Sequence, residues 1–142
     1  MKFRFHDLEV WQLAIEIGDA LFDIADLLEA KKLYCFAEQL RGSGMSMSKN
    51  IAEGSGSNSK REFRYFLNIA RRSTFENANI LTILYRRSLI SESELNRILS
   101  RLTILCMKIT ALQRTLGTPT KECQKLDKTP QRRHAPCPMQ VF

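Results

Sequence analysis

The stretch Asn50–Phe63, NIAEGSGSNSKREF, decides the fold, because it sets a glycine-serine loop before two basic residues and a run of apolar residues at helical spacing. A glycine-rich turn that leads into a helix N-terminus can bind phosphate. A P-loop, however, needs G-x-x-x-x-G-K-[ST] after a strand, and the glycines and Lys60 match neither its spacing nor its ending. We therefore predict that Gly54 ends one helix in a left-handed cap, and that Ser59 and Glu62 begin the next in a capping box.

Apolar periodicity predicts four helices along the chain. Their approximate ranges are 7–28, with Asp7 as N-cap, 34–53, 59–87 and 91–116. Ser91 and Glu94 repeat the start signal of the third helix, and Gly117 stops the fourth. No proline precedes Gly117, as expected of a helical body. Because short connections make neighbouring helices antiparallel, the sequence predicts an all-α protein, an antiparallel four-helix bundle over residues 1–117.

Residues 118–142 differ in composition from the predicted bundle. They contain all 4 prolines and carry a net charge of +3, so we expect a flexible, disordered, basic C-terminal tail. No run in the chain approaches the ~18 to 20 apolar residues that a bilayer span requires. The 4 cysteines, Cys35, Cys106, Cys123 and Cys137, form no C-x-x-C pair, which is typical of free thiols in a reducing compartment. We expect a cytoplasmic protein without a membrane partner.

Charge is distributed unevenly along the chain, whose net charge is +7. Between Asp7 and Glu29 there are 7 carboxylates and no Lys or Arg, whereas residues 31–117 hold 15 Lys and Arg against 6 Asp and Glu. A basic surface attracts polyanions such as nucleic acid. The opposite-sign segments can equally pair within the protein or between subunits, and both interpretations stay open.

The basic residues of the last two helices form stripes. The basic residues of the third helix lie within one arc: Arg61, Arg64, Arg71, Arg72 and Arg86, with Lys60 just before them in the sequence. On the fourth helix three basic residues form a line: Arg97, Arg101 and Lys108. These nine residues are the candidate nucleic-acid-binding residues, because stripes of this kind can follow a phosphate backbone. The alternative is a solvated face.

A polar stripe runs along the second helix through Gln39, Ser43, Ser46, Asn50 and Glu53. It is either a solvated face or a buried network that meets Ser73 and Asn77 of the third helix. We favour the network, which would fix the register between the two helices. Gly42 and Gly44 interrupt the same helix at a cost of ~1 kcal/mol each relative to alanine, which suggests close approach of a neighbouring backbone.

The first helix carries an apolar face about twice as wide as the ~100° stripe that a surface helix of a monomer needs. Another subunit would cover the excess most simply. The sequence therefore predicts a homo-oligomer.

The sequence contains no recognisable arrangement of catalytic residues. The two histidines, His6 and His134, lie near opposite ends of the chain, and no nucleophile, base and orienting group can be assembled. We expect neither an enzyme nor a bound metal or cofactor.

Three segments carry a family resemblance: FHDLEVWQLAIEI (5–17), QLRGSGMSMSKNIAEGSG (39–56) and SKREFRYFLNIARRSTFE (59–76). Together they resemble the four-helix-bundle family encoded by intervening sequences of 23S rRNA genes. The resemblance implies a small all-α subunit that assembles into a ring-like oligomer, commonly a pentamer. It also implies kinship with the accessory proteins of diversity-generating retroelements, which bind a reverse transcriptase and nucleic acid.

Two functions follow as hypotheses. The first is a non-enzymatic homo-oligomeric bundle whose basic surface binds RNA or DNA backbone, with docking onto a larger protein such as a reverse transcriptase. The second is a protein-interaction scaffold without a direct nucleic-acid role, in which the basic stripes meet acidic helices or a partner. Binding that weakens steeply with salt would distinguish the first from the second.

Overall fold

The computed structural model describes residues 1–117, and within them it contains helices and no strand. The four α-helices are α1 (Glu9–Ala30), α2 (Tyr34–Ser55), α3 (Lys60–Arg86) and α4 (Glu92–Thr115), and a 3-10 helix (Arg4–Asp7) precedes them. The predicted all-α bundle is confirmed. None of these helices is both long and apolar enough to cross a membrane. The tail predicted for residues 118–142 lies outside the described residues.

The helices pack in sequence order around one core. α1 packs on α2, α2 on α3 and α3 on α4, while a less extensive contact between α4 and α1 closes the bundle. The largest fully buried side chains are aliphatic: Ile17, Leu21, Leu28, Leu40, Met47, Ile51, Leu67, Leu81, Leu84, Ile98, Leu105 and Ile109. Burying a side chain of this size stabilises a fold by about 1.5–3 kcal/mol.

Serine side chains start the last two helices as predicted. The Oγ of Ser59 accepts a hydrogen bond from the backbone N–H of Glu62 at 3.3 Å, and Ser91 accepts one from that of Glu94 at 3.1 Å. The reciprocal half of the first capping box is indirect. The carboxylate of Glu62 accepts from the Oγ of Ser57, which itself accepts from the backbone N–H of Ser59. Each cap thus satisfies a backbone donor that would otherwise lack an intrahelical partner.

The start of α1 differs from the prediction. The N-cap is Leu8, without a side-chain hydrogen bond, and Asp7 ends the preceding 3-10 helix. The prediction of Asp7 as N-cap was wrong because the residues before it form a turn of their own. In that turn the backbone N–H of Phe3 donates to Nδ1 of His6 at 3.1 Å.

Gly54 is a helical residue, so the predicted left-handed cap was wrong. α2 continues through it to Ser55, and its C-cap Gly56 has a φ of −77°. A Cβ at Gly54 would lie 2.7 Å from Cβ of Phe66 and 2.9 Å from Cδ2 of Phe63. Glycine is required there because α3 passes too close for a methyl group. The predicted stop at Gly117 is confirmed, since this residue has a φ of +97°.

Gly44 and Gly42 of α2 have different environments, and Gly18 of α1 lies close to the first of them. A Cβ at Gly44 would lie 3.2 Å from Cδ1 of Leu21, and one at Gly18 would lie 3.7 Å from the carbonyl oxygen of Gly44. These two glycines therefore mark a close approach of α1 and α2. Gly42 is exposed and a Cβ there would meet nothing within 4 Å, so the predicted close approach is wrong at this position.

Most of the wide apolar face of α1 is covered inside the chain. α2 and α4 both pack against α1, and Trp11, Leu13 and Ala20 are partly buried against the core. The large apolar side chains of α1 that remain exposed are Ile15 and Leu27, at 36% and 64%. The reason given for an oligomer is therefore wrong, whereas the oligomer itself stays a prediction.

Candidate nucleic-acid interface

The predicted cations of α3 divide into an outward group and a packed group. Phe63, Leu67 and Ala70 turn one face of α3 into the core, which sends the opposite face to solvent. Arg61, Arg72 and Arg86 are exposed on it, and Lys60 is exposed as the first residue of the helix. Among residues 1–117, Lys60, Arg72 and Arg86 have no hydrogen bond or ion pair. We call these three residues the α3 row.

Arg64 and Arg71 are half-buried and lie against α4. The Nε of Arg71 donates to the Oγ1 of Thr110 at 3.2 Å, and its guanidinium lies over the ring of Phe75, 5.5 Å from the centroid. The backbone carbonyl of Arg64 accepts from Gln113 at 3.3 Å. In the described part of the chain, the Nε of Arg64 is buried without a hydrogen-bond partner. These two arginines hydrogen-bond to α4, and they are less exposed to solvent than the α3 row.

The basic line of α4 faces α1. Arg101 pairs with Glu16 at 2.6 Å and Lys108 pairs with Glu9 at 2.6 Å. Arg97 is exposed and belongs to the same line, so it also lies toward α1. The predicted stripes of α3 and α4 therefore do not merge into one surface. Part of the basic charge pairs with the acidic helix within the chain, which was one of the two interpretations left open by the sequence.

The acidic helix α1 is neutralised on its other side by α2. Arg41 donates to both Asp26 and Glu29 at 2.6 Å. These hydrogen bonds raise the pKa of Arg41 above its ordinary value, so it stays cationic. Asp19 and Asp23 are exposed and form no ion pair within residues 1–117. The α1 surface is thus unsuited to bind a polyanion.

Three cations that the sequence analysis did not select gather at one end of the bundle. Arg4 donates to the carbonyl oxygen of Ser55 at 3.3 Å, and its guanidinium lies over the ring of Phe63 at 5.8 Å. Lys2 is paired with Asp7 on the same short segment. Arg114 is exposed and follows Gln113, which reaches the first turns of α3. We define the basic end as Lys2, Arg4, Lys60, Arg61 and Arg114. Only the packed topology shows that these residues lie together.

A hydrogen-bonded polar cluster joins α2 to α3. The Oγ of Ser43 donates to Oδ1 of Asn77 at 2.6 Å, and Nδ2 of Asn77 donates to the carbonyl oxygens of Ser43 at 2.9 Å and Ser73 at 2.8 Å. Ser46 and Ser73 share a hydrogen bond of 2.9 Å, and Asn50 donates back to Ser46. Asn77 is completely buried. The cluster is structural, because its groups are satisfied by one another.

Two predicted members lie outside this cluster. Gln39 and Glu53 are exposed near the two ends of α2, so the hydrogen-bonded set is Ser43, Ser46, Asn50, Ser73 and Asn77. The helical spacing selects one side of α2 correctly. It does not show how far α3 covers that side.

Comparisons with known proteins decide the family. The family model described as 23S rRNA-intervening sequence protein matches residues 6–111. The chain belongs to the 23S rRNA-intervening sequence protein family. The resemblance drawn from the sequence is thereby confirmed. No curated protein matches the chain.

A solved relative shows the same fold. It is a protein of unknown function from the S23 ribosomal protein family of Bacteroides thetaiotaomicron, known from a crystal structure at 1.70 Å resolution. Its sequence is 23% identical to this chain, the TM-score is 0.70, and the alignment covers 74% of this chain and 98% of that one. At this identity the likeness establishes the bundle alone.

The range matched by the family model includes some of the basic residues and leaves out others. The α3 row and the α4 line lie inside residues 6–111, whereas Lys2, Arg4 and Arg114 lie beyond the matched range. Within residues 1–117 no group of three or more His, Cys, Asp or Glu side chains is placed to hold a metal ion.

Proposed function

We propose that this chain is a non-enzymatic, self-associating bundle that binds nucleic acid through backbone phosphates, using the α3 row and the basic end. The observation that carries the proposal is the contrast between the two predicted stripes. Lys60, Arg72 and Arg86 are exposed and without an ion pair inside residues 1–117, while Arg101 and Lys108 are paired with α1.

This contrast matters because an unpaired cation can meet a phosphate without giving up another partner. Phosphate binding by Arg101 would have to compete with Glu16, which accepts its hydrogen bond at 2.6 Å. The α3 row faces no such competition. Each phosphate that it neutralises releases counterions from the nucleic acid, which is the main source of affinity in binding of this kind.

The length of the α3 row suits a long polyanion. Lys60 and Arg86 are separated along α3 by about 39 Å at ~1.5 Å per residue. That distance is comparable to one turn of B-DNA, about 34–36 Å. The row thus contacts several phosphates of a nucleic acid rather than one phosphorylated metabolite.

Binding to nucleic acid of arbitrary sequence tests the proposal. The labelled probes are one DNA duplex and one RNA strand, and fluorescence anisotropy follows binding as the salt concentration rises. We expect the logarithm of the association constant to fall linearly with the logarithm of salt concentration, with a slope of about −0.9 per phosphate contacted on the duplex. If neither the DNA duplex nor the RNA strand binds at low salt, the proposal is contradicted.

Self-association is proposed through a groove between α3 and α4. The groove has a volume of about 220 Å³, and its lining includes Phe75, Ala78, Leu99 and Met107. Phe75 and Met107 are 60% and 66% exposed. Contiguous exposed apolar side chains of this kind mark contact sites between proteins. A second copy of this chain would bury them.

The same groove favours a second candidate function, a protein-interaction scaffold. In that case the groove holds a different protein, such as the reverse transcriptase that the family resemblance implies, and the α3 row is only solvated. The two candidates differ in a measurable way. The scaffold shows no salt-dependent nucleic-acid binding, and substitutions in the α3 row leave its partner affinity unchanged.

A further inference from the structure

Four aromatic rings form a cluster before and within the first turn of α1. The rings of Phe3 and Phe5 are nearly parallel, with 8° between their planes and 5.7 Å between centroids. Phe5 in turn lies 4.4 Å from His6 and 4.9 Å from Trp11, measured between ring centroids. We call Phe3, Phe5, His6 and Trp11 the aromatic stack. Its rings become more exposed toward Phe3, whose exposed fraction is 59%.

The aromatic stack is held in place by polar contacts. The backbone N–H of Phe3 donates to Nδ1 of His6 at 3.1 Å, and the side chain of Gln12 donates to the carbonyl oxygen of His6 at 2.8 Å. Arg4 anchors the same turn to the end of α2 through the carbonyl oxygen of Ser55. A ring held in this way loses little conformational entropy when a ligand stacks on it.

Cations lie close to the aromatic stack in the chain and in the fold. Lys2 and Arg4 flank Phe3 in the sequence, and the Arg4 guanidinium lies over the ring of Phe63 in the first turn of α3. Lys60 and Arg61 begin that same turn. The aromatic stack therefore adjoins the basic end, at the point where the α3 row starts.

We infer that the outer face of Phe3 binds an unpaired base of a single-stranded nucleic acid, while the basic end holds the phosphates on either side. The inference rests on the proposed function and narrows its ligand from nucleic acid in general to a strand with free bases. Aromatic rings beside a basic surface are the usual means of holding such strands without regard to sequence.

Two features favour a free base over other occupants. The bases of a duplex are already paired and stacked, so a duplex offers the basic end only its backbone. An apolar segment of a protein would cover Phe3 but would offer no anion to Lys60 and Arg114 of the basic end, which are exposed and form no ion pair within residues 1–117. A free base that lies parallel to Phe3 continues the existing order of rings and brings its own phosphates to these cations.

The test compares a short oligothymidylate with an abasic strand of the same length, which keeps the phosphates and lacks the bases. Anisotropy at low salt measures the affinity of each strand for the full chain. We expect the oligothymidylate to bind about tenfold more tightly, because base stacking on an aromatic ring is worth about 1–3 kcal/mol. Phe3→Ala should abolish this preference, and Phe3→Tyr should keep it.

Tyr34→Ala is the matched control. Tyr34 is 53% exposed and begins α2, at the opposite end of the bundle from Phe3. Its loss should leave the preference for the oligothymidylate intact. Circular dichroism of each variant shows whether the helices are retained, and Phe3→Tyr covers the case in which Phe3→Ala is unfolded.

The outcomes separate the inference from the proposed function. Equal affinity of the natural chain for both strands, or a preference that survives Phe3→Ala, overturns the inference and leaves backbone binding standing. Failure of both strands to bind overturns the inference, and it contradicts the proposed function only when the DNA duplex and the RNA strand also fail to bind. A smaller molecular mass of the Phe3→Ala variant in light scattering would show that a second copy covers the stack, which also overturns the inference.

Discussion

At the residue scale, Gly54 shows how a single position fixes the approach of two helices. A Cβ there would lie 2.7 Å from Cβ of Phe66 and 3.3 Å from the carbonyl oxygen of Phe63. Neither atom belongs to a flexible side-chain end, so α3 must shift to accept a methyl group. We expect Gly54→Ala to lower the free energy of unfolding by about 1–3 kcal/mol, the usual cost of overpacking, as measured by urea denaturation.

Gly42→Ala is the matched control for that measurement. Gly42 lies in the same helix, is exposed and has no neighbour within 4 Å of the added Cβ. Alanine should therefore stabilise the helix by about 1 kcal/mol through its better helix propensity. Equal effects of the two substitutions would contradict the packing assigned to Gly54.

Residue roles that depend on neighbours within one turn could be predicted from the sequence. Roles that depend on contacts with another part of the fold could not. Ser59 and Ser91 were predicted as N-caps because a cap depends on residues within one turn of the chain. Gly54 was misassigned because its role depends on Phe63 and Phe66, which come from the next helix. Asp7 was misassigned because the aromatic contacts of the preceding turn are not visible in periodicity.

At the element scale, the polar cluster couples α2 to α3. Asn77 is 0% exposed and makes hydrogen bonds with Ser43 and Ser73. We expect Asn77→Ala to cost about 2–3 kcal/mol, because the buried hydroxyl of Ser43 loses its 2.6 Å acceptor and keeps only the carbonyl oxygen of Leu40 at 3.4 Å. Gln39→Ala, at an exposed position of α2 outside the cluster, should change stability by less than about 0.5 kcal/mol.

A double-mutant cycle with Ser43→Ala measures the coupling itself. Because Ser43 and Asn77 touch, the cost of the double variant should fall short of the summed single costs by about 1 kcal/mol or more. Additive costs would show that the two helices are held by apolar packing alone. Thermal or urea denaturation of the four proteins provides the free energies of unfolding.

The ion pairs between α4 and α1 belong to the same scale. Arg101 and Glu16 have side-chain exposures of 28% and 64%, so the pair is largely screened by water. We expect Arg101→Gln to lower stability by less than about 1 kcal/mol, with a smaller effect at high salt. A loss of several kcal/mol would mean that this pair, and not the core, holds α4 against α1.

The sequence could not assign a partner to the basic line of α4. Helical spacing placed Arg97, Arg101 and Lys108 on one line, which the structure retains. Their direction, toward α1, depends on how α4 is rotated in the bundle, and several rotations satisfy the same apolar spacing. Arg72 and Arg86 were easier to predict as exposed, because at about 100° per residue they lie roughly 100° or more around α3 from the buried Phe63 and Leu67. Lys60 is exposed because it is the first residue of the helix.

At the scale of the whole molecule, self-association through the α3–α4 groove is open to a direct test. Met107→Lys places a charge in the groove, where Met107 is 66% exposed. We expect light scattering after size exclusion to show an assembly larger than the 16.4 kDa chain for the natural protein and a smaller species for this variant. Burial of an unpaired charge in an interface is costly.

Met45→Lys is the control, because Met45 is 55% exposed on α2, outside the groove. It should leave the assembly unchanged. A natural protein that is a monomer at micromolar concentration would contradict self-association, and equal disruption by both variants would place the contact elsewhere.

Two matched triple variants test whether the α3 row binds nucleic acid, through the salt dependence of their binding. One variant carries Lys60→Gln, Arg72→Gln and Arg86→Gln, and the other carries Lys31→Gln, Lys32→Gln and Lys49→Gln, which are exposed cations outside the α3 row. Both lose the same net charge. We expect the slope of log K against log salt to fall by about 2 to 3 for the first variant and to stay near that of the natural protein for the second. Equal slopes for the two variants would contradict this role of the α3 row.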